Sequence, residues 1–100
     1  MDTSNAVIED TMLGFEDHGF LTFFLHLDYG GSGQGAGGII LSGAYTDHYI
    51  REILKTVGVE KWEQLKGKHV RAKHEHWRVF AIGHIIKDQW MEIGDWEPEE

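Results

Sequence analysis

The amino-acid sequence contains no cysteine, which excludes disulfide bridges, thiolate zinc sites and cysteine nucleophiles. It has a single proline, so it is not a proline-rich linker. No apolar run reaches the roughly 18 residues that a membrane-spanning helix needs, and the polar, acidic N-terminus is not typical of a signal peptide. Hydrophobic residues make up 41% of the 100 residues, enough for one core. We therefore expect a single domain over residues 1–100, without a membrane partner, in which residues 97–100 form a frayed acidic tail.

Basic residues are absent from the first half of the chain, since the first Lys or Arg is Arg51. Residues 61–78 then hold six Lys and Arg against two Glu, and acidic residues return over residues 92–100. The net charge of −8 argues against general DNA binding, because an acidic surface repels phosphate backbones. The acid–base–acid order has two interpretations. The charges either neutralise one another or are simply solvated, or they form a surface that steers one partner.

The periodicity of apolar residues predicts an α+β fold, with an antiparallel sheet of about five strands and one amphipathic helix packed on a face. The predicted order is β-β-β-α-(short α)-β-β, in which the third strand folds back beside the second. The predicted strands are 6–15, 20–29, 39–41, 68–75 and 78–86, with a helix over 48–57 that Thr46 or Asp47 caps and Gly58 ends, a helical turn over 60–65, and a last edge segment over 90–96.

Two features of the strands bear on pairing. In the second strand, Leu21, Phe23, Leu25 and Leu27 line one face, while Phe20 and Phe24 make the other face partly apolar. Such a strand is central or forms half of an oligomer interface, so we expect a homodimer. In the last hairpin, a three-residue loop would group Val70 and Ala72 with Phe80 and Ile82, and a two-residue loop would group them with Ala81 and Gly83. We favour the three-residue loop because it gathers the larger apolar side chains.

Glycine dominates residues 30–38, which we interpret as a break between strands. Residues 33–38 match the pattern G-x-G-x-x-G formally, but a dinucleotide site needs a helix directly after it, and the sequence that follows is typical of a strand. Two interpretations stay open. The segment is a flexible connection, or it lets a ligand approach the backbone at Gly33, Gly35 and Gly37.

Residues suited to catalysis or metal binding do not form a convincing set. His74, His76 and His84 lie on neighbouring predicted strands, yet Glu75 points away from its two histidine neighbours, so we expect no metal site. Ser32 lies in only a fragment of the G-x-S-x-G nucleophile motif. The sequence therefore predicts a protein without catalytic residues and without a cofactor.

Basic and apolar residues alternate over residues 68–74, so a strand there exposes a cationic row. This row suits the phosphates of a nucleotide or RNA, with Trp77 or Tyr49 available to stack on a base. The alternative is an edge strand that Lys and Arg protect against aggregation. The predicted ligand-binding residues are Gly33, Gly35, Gly37, Lys68, Arg71, Lys73 and Trp77.

Three stretches, residues 9–19, 59–71 and 81–90, together resemble a group of small bacteriophage and prophage proteins, and the resemblance extends from Ile8 to Trp90. It implies an accessory protein of the host cytoplasm that serves counter-defence or host takeover. It transfers no catalytic residue.

The leading functional hypothesis is a non-enzymatic protein that binds and inhibits a host protein, for example a defence or nucleic-acid-binding component, through an acidic surface. An acidic face competes for a positively charged groove by resembling a row of phosphates. The alternative is a binder of a small ligand or nucleotide signal that uses the glycine segment and the basic strand. The predicted partner-binding residues are Glu16, Asp17, Asp28, Trp90 and Trp96.

Overall fold

The computed structural model describes residues 1–15, 19–41 and 43–93, with the backbone alone at residues 39 and 40. These residues form an α+β fold with one helix and one antiparallel sheet whose strand order is β3-β2-β1-β4-β5-β6. The sheet has six strands rather than about five, since the predicted edge segment forms a strand of its own. The elements are β1 (Asp2–Phe15), β2 (Leu21–Asp28), β3 (Gly33–Ile40), α1 (Ala44–Val57), a 3₁₀ helix (Trp62–Gln64), β4 (His69–Glu75), β5 (Arg78–His84) and β6 (Trp90–Glu92).

Strand β1 is long and pairs with two different strands along its length. Residues 2–7 pair with β4, and residues 7–15 pair with β2. A bulge between Ile8 and Asp10 separates the two halves, and a bulge bends a strand and increases its twist. The sheet therefore curls, and its edge strand β3 comes against β5. The amide of Gln34 in β3 donates to the carbonyl oxygen of Glu75 at the end of β4, at 2.8 Å.

The inner, concave face of this curled sheet holds the core. Phe23, Leu25 and Leu27 are fully buried there, which confirms the predicted core face of the second strand. Helix α1 covers one end of the concave face with Tyr49 and Ile53, both fully buried. Burial of these side chains from β2 and α1 supplies the main favourable contribution to folding.

Helix α1 starts earlier than predicted. Its N-cap is Gly43, and neither Thr46 nor Asp47 caps it. Asp47 lies instead in the first turn, where its carboxylate accepts from the guanidinium of Arg51 at 2.8 Å. The carboxylate of Asp47 in the first turn still stabilises the helix, because it lies near the positive end of the helix dipole. The predicted end is confirmed, since Gly58 takes the left-handed conformation and its N–H donates to the Leu54 carbonyl.

The glycine segment is not a loop over its whole length, because strand β3 begins at Gly33 and pairs with β2. A Cβ at Gly37 would lie 2.3 Å from the carbonyl oxygen of Phe23, and φ at this position is +123°. Cβ atoms at Gly35 and Gly38 would lie 3.5 and 3.0 Å from the ring of Phe24. The glycines thus let β3 pass closely under an aromatic ring and through a bulge.

The β4–β5 hairpin differs from the predicted register. Glu75 pairs with Arg78 across a two-residue loop, and a bulge between Lys73 and His74 then sets Ala72 opposite Ile82. Val70 lies opposite His84 rather than beside the larger apolar residues of β5. The bulge shifts the register by one residue, so a two-residue turn and the pairing of Ala72 with Ile82 occur in the same hairpin. Neither predicted loop length includes such a bulge.

None of the helices in the described part of the chain is long and apolar enough to cross a membrane.

The glycine at position 37 gives a direct test of strand β3. We expect Gly37→Ala to lower the free energy of unfolding by about 2–4 kcal/mol, since the new Cβ meets backbone and the left-handed φ is strained. Urea denaturation measures this change. Gly31→Ala is the matched control, because a Cβ there meets nothing within 4 Å, and it should change stability by less than about 0.5 kcal/mol. Equal stabilities of the two variants would contradict the role given to Gly37.

Candidate binding surfaces

The outer, convex face of the sheet carries a cluster of cations around one aromatic ring. Val70 and Ala72 of β4 point into the core and are fully buried, so the alternating residues Arg71 and Lys73 project from the opposite face. Trp90 of β6 projects from the same face, because it pairs with Gly83 and Gly83 pairs with Arg71. We call Arg71, Lys73 and Trp90 the cationic patch.

The Trp90 ring lies directly over Gly83, where a Cβ would be 2.6 Å from the nearest ring atoms. The guanidinium carbon of Arg71 is 4.7 Å from the ring centroid, and the ammonium of Lys73 is 4.4 Å from it. Both cations are therefore within cation–π distance of one indole. Gly83 is the position that lets the short strand β6 lay its tryptophan flat on the sheet.

The two cations of the patch differ in what they bind. Arg71 donates from Nε to the His84 carbonyl and from Nη2 to the Lys87 carbonyl, each at 2.8 Å. It thereby fixes the connection between β5 and β6. Lys73 makes no ion pair with the described carboxylates. Its ammonium is the group of the patch that can take an anionic ligand without breaking an existing hydrogen bond.

The acidic and basic stretches of the chain become neighbouring strands without neutralising each other. Across the β1–β4 ladder, Arg71 lies opposite Asn5 and Lys73 lies opposite Thr3. The ion pairs within the described residues are Asp47 with Arg51, and the Met1 amine with Glu75 at 3.0 Å. Neither includes a cation of β4, so the charge of the patch stays available to a ligand.

A depression of about 350 Å³ adjoins the patch and is lined by Lys73, Phe80, Trp90 and Glu92, among others. The guanidinium carbon of Arg78 lies 4.3 Å from the centroid of the Phe80 ring. The ring of Trp77, which is 64% exposed, meets Phe80 edge-on with centroids 5.2 Å apart. Aromatic and cationic groups thus continue from the patch to the β4–β5 turn.

The predicted ligand-binding residues are only partly brought together. Arg71 and Lys73 share the patch, and Trp77 lies at the turn nearby. Lys68 lies just before β4, beside a different depression shared with Glu60 and Gln64. The glycines Gly33, Gly35 and Gly37 belong to β3, which β2 and β1 separate from β4 in the sheet order. Gly35 and Gly37 leave room for the side chains and backbone of β2, and Gly33 borders a cavity beside His74 at the end of β4. The ligand-binding role of these glycines stays a prediction.

The predicted partner-binding residues do not form one described surface. Glu16, Asp17 and Trp96 lie outside the described residues, as does the tail over residues 94–100. The carboxylate of Asp28 accepts from the Gly30 N–H at 2.9 Å and so supports the β2–β3 turn. Trp90 belongs to the cationic patch. The sequence analysis grouped Trp90 with the acidic residues and did not select Phe80. The available signal for the packing of Trp90 is Gly83 in one strand followed by a tryptophan shortly after it.

A polar network closes the end of the curled sheet opposite α1. The rings of Tyr29 and His74 stack with centroids 4.4 Å apart, and the His74 Nε2 is 2.9 Å from the Ser4 hydroxyl. The Tyr29 hydroxyl donates to Gln34 Oε1 at 2.6 Å. Burial raises the pKa of Tyr29. Because the Gln34 amide also bridges to Glu75, side chains supply the link between β3 and β4 that no backbone ladder makes.

This network borders a cavity of about 240 Å³ that Asp2 and His76 also line. The described residues contain no group of three His, Cys, Asp or Glu with the geometry of a metal site. His84 lies apart from His74, and its Nδ1 accepts from the N–H groups of Ile86 and Lys87, each at 3.0 Å. His74 and His76 thus line one cavity, while His84 supports the connection between β5 and β6.

Comparisons of the chain with protein-family models, with curated proteins and with solved structures found no match in any of the three.

The Tyr29 hydroxyl gives a test of the closing network. We expect Tyr29→Phe to lower the free energy of unfolding by about 1 kcal/mol at neutral pH, the usual contribution of one hydrogen bond. Since burial holds the folded-state pKa above the unfolded value of 10.0, the neutral hydroxyl stabilises the fold below pH 10, and this contribution is lost as pH rises through the folded pKa. Urea denaturation from neutral to alkaline pH should show this loss in the parent protein and not in the variant. Parallel curves would contradict the assignment.

Proposed function

We propose that this protein is a non-enzymatic binding protein whose cationic patch takes a phosphate-bearing, planar ligand, that is, a nucleotide or a short single-stranded nucleic acid. The observation that carries the proposal is the Lys73 ammonium, which lies 4.4 Å from the centroid of the Trp90 ring and has no carboxylate partner among the described residues. An ammonium is a point charge that suits a phosphate oxygen.

The depression beside the patch supplies the second half of such a site. Its volume of about 350 Å³ falls within the range of small-molecule sites, roughly 300–1,000 Å³. Phe80 and the exposed ring of Trp77 offer aromatic surface for a base, while Lys73 offers charge for the phosphate. Stacking on an aromatic ring contributes about 1–3 kcal/mol per base and tolerates any base.

The net charge restricts the size of the ligand. With −8 on the whole chain, a long duplex would be repelled outside the patch, so a mononucleotide or a few nucleotides fit better than double-stranded DNA. A curled antiparallel sheet is also the architecture of oligonucleotide- and oligosaccharide-binding folds. This likeness is one of sheet architecture alone, since one fold serves many functions.

Binding of ADP and of an eight-nucleotide oligo-dT, followed by isothermal titration calorimetry, tests the proposal. We expect Lys73→Gln to weaken binding of either probe by about tenfold or more, because it removes the cation and keeps a polar side chain that is only one atom shorter. Lys66→Gln is the matched control, since Lys66 is exposed in the turn after the 3₁₀ helix, and it should leave the affinity unchanged.

Two results would overturn the nucleotide proposal. One is the absence of heat and of a thermal shift with both probes at millimolar concentration, since a micromolar ligand at that level stabilises a fold by about 4 kcal/mol. The other is an equal loss of affinity in the Lys73 and Lys66 variants, which would indicate a diffuse charge effect.

A second candidate function is binding of a basic protein by the acidic half of the chain. The observation that favours it is the surface around Glu9 and Asp10, two exposed acids in a half that has no Lys or Arg. Combined with the resemblance to bacteriophage proteins, this supports inhibition of a host protein in the bacterial cytoplasm. The expected homodimer is a further prediction, which light scattering over a dilution series tests.

Affinity capture from bacterial lysate at low and at high salt tests the second candidate. We expect a basic protein that is retained at low salt, released at high salt, and retained several-fold less by the double variant Glu9→Gln/Asp10→Asn. The double variant Glu60→Gln/Glu63→Gln makes the same change of charge elsewhere and should retain the protein fully. Retention that does not depend on salt would contradict an acidic interface.

A further inference from the structure

Part of strand β1 has a free edge. On the side of β4, the last backbone hydrogen bonds of β1 are made at Ile8, whose N–H donates to the Lys68 carbonyl at 2.9 Å and whose carbonyl accepts from Gly67 at 2.7 Å. Beyond that point, within the described residues, β1 pairs with β2 alone. The segment Thr11–Phe15, which we call the free edge, therefore has a strand partner on one side only.

The backbone of this edge is oriented for pairing. The Thr11 N–H donates to the Asp10 carboxylate at 3.0 Å, so it points away from β2. Because successive N–H groups of a strand alternate in direction, the N–H groups of Leu13 and Phe15 point the same way. Trp62 Nε1 donates to the Thr11 hydroxyl at 3.1 Å and marks where the covered part of β1 ends.

The side chains of the free edge are unusually apolar for their exposure. Leu13 is 41% exposed and Phe15 is 77% exposed, and Phe20, which directly precedes β2, is 50% exposed. Natural edge strands are commonly protected by Lys, by Pro or by inward charges. The free edge has neither Lys nor Pro. Exposed apolar residues beside an unpaired edge are typical of a surface that takes an added strand.

The charges around the edge decide which strand fits it. Glu9 and Asp10 precede the edge, and the sequence continues after it with Glu16 and Asp17. An antiparallel second copy would bring its own Glu9 and Asp10 to the end of the edge after which Glu16 and Asp17 follow in the sequence. Like charges directly opposite each other destabilise a pair of strands, so a second copy is a poor occupant.

We propose that the free edge Thr11–Phe15 binds an extended segment of a protein partner as an added antiparallel strand, and that this segment carries apolar residues at alternate positions between basic flanks. Backbone hydrogen bonds give the affinity of such a strand, and alternate side chains give its specificity. Basic flanks are selected because acids adjoin both ends of the edge. The proposal identifies a surface for the second candidate function and is independent of the cationic patch.

Two synthetic peptides test the proposal, Lys-Lys-Val-Thr-Val-Thr-Val-Lys-Lys and its counterpart with Glu in place of every Lys. We expect the basic peptide to bind the full chain about tenfold tighter than the acidic one at low salt. Nuclear magnetic resonance should show slowed amide exchange at Leu13 and Phe15 and cross-strand contacts to the peptide. Nucleotide binding by the cationic patch should not change.

The variant Leu13→Lys adds a cation to the edge, and natural edge strands use such cations to prevent pairing with a further strand. It should lower the affinity for the basic peptide by about tenfold or more. The control Ile86→Lys introduces the same residue at another exposed apolar position, 83% exposed, and should bind as the parent does. Circular dichroism verifies that both variants are folded.

Three outcomes of the peptide experiments would overturn the proposal. They are equal affinity for the two peptides, unchanged binding of the basic peptide by Leu13→Lys, and slowed amide exchange in β3 or β6 instead of in the free edge. A dimer of the parent protein that Leu13→Lys dissociates in the absence of peptide would also overturn it, because a second copy would then occupy the edge. Loss of retention in the lysate experiment with peptide binding intact would reject the acidic-partner function alone.

Discussion

The bend in β1 is the constraint on which the rest of the structure depends. A strand that pairs with β4 through its first half and with β2 through its second cannot stay flat, and the bulge after Ile8 gives it the required kink. The two halves of the sheet then fold toward each other and enclose one concave core under α1. The bend also leaves Thr11–Phe15 beyond the reach of β4. The closed core and the free edge thus have one cause.

Glycines and aromatic rings are matched across the sheet in two places. Phe24 lies against Gly35 and Gly38 of β3, and the Trp90 ring lies over Gly83 of β5. In each place the missing side chain lets a ring cover the backbone and pack close to it. In the second place the covering ring also gathers Arg71 and Lys73. Packing that stabilises a short edge strand therefore also builds the cationic patch.

The acidic and basic stretches of the chain remain separate in the described part of the folded protein, because the cations of β4 do not pair with the acids of β1. The basic strand β4 is hydrogen-bonded to the first half of β1, yet its cations face Asn5 and Thr3 rather than acids. A cationic patch and an acidic, partly apolar edge consequently coexist on one small molecule. We propose different partners for them, a phosphate-bearing ligand for the patch and a basic strand for the edge. A single chain of this size can carry both because neither surface interrupts the core.

The local periodicity of the sequence was sufficient for much of the fold. Alternation of apolar residues identified the core face of β2, and the amphipathic stripe with Gly58 after it identified α1 and its end. The pairing of the third strand with the second and the presence of a short helical turn also followed from the chain. The start of α1 and the strand character of residues 33–38 did not, because glycine-rich sequence has little intrinsic preference and takes its structure from the strand beside it.

The candidate site was determined less completely. The sequence alone determined that Arg71 and Lys73 share one face of a strand, because side chains of a strand alternate. Only the tertiary structure decided that Trp90 joins them, that two strands of the sheet separate the glycines of β3 from β4, and that β1 has a free edge. Those facts depend on strand order and on bulges, which arise from contacts between residues far apart in the chain, and no local pattern of residues encodes them.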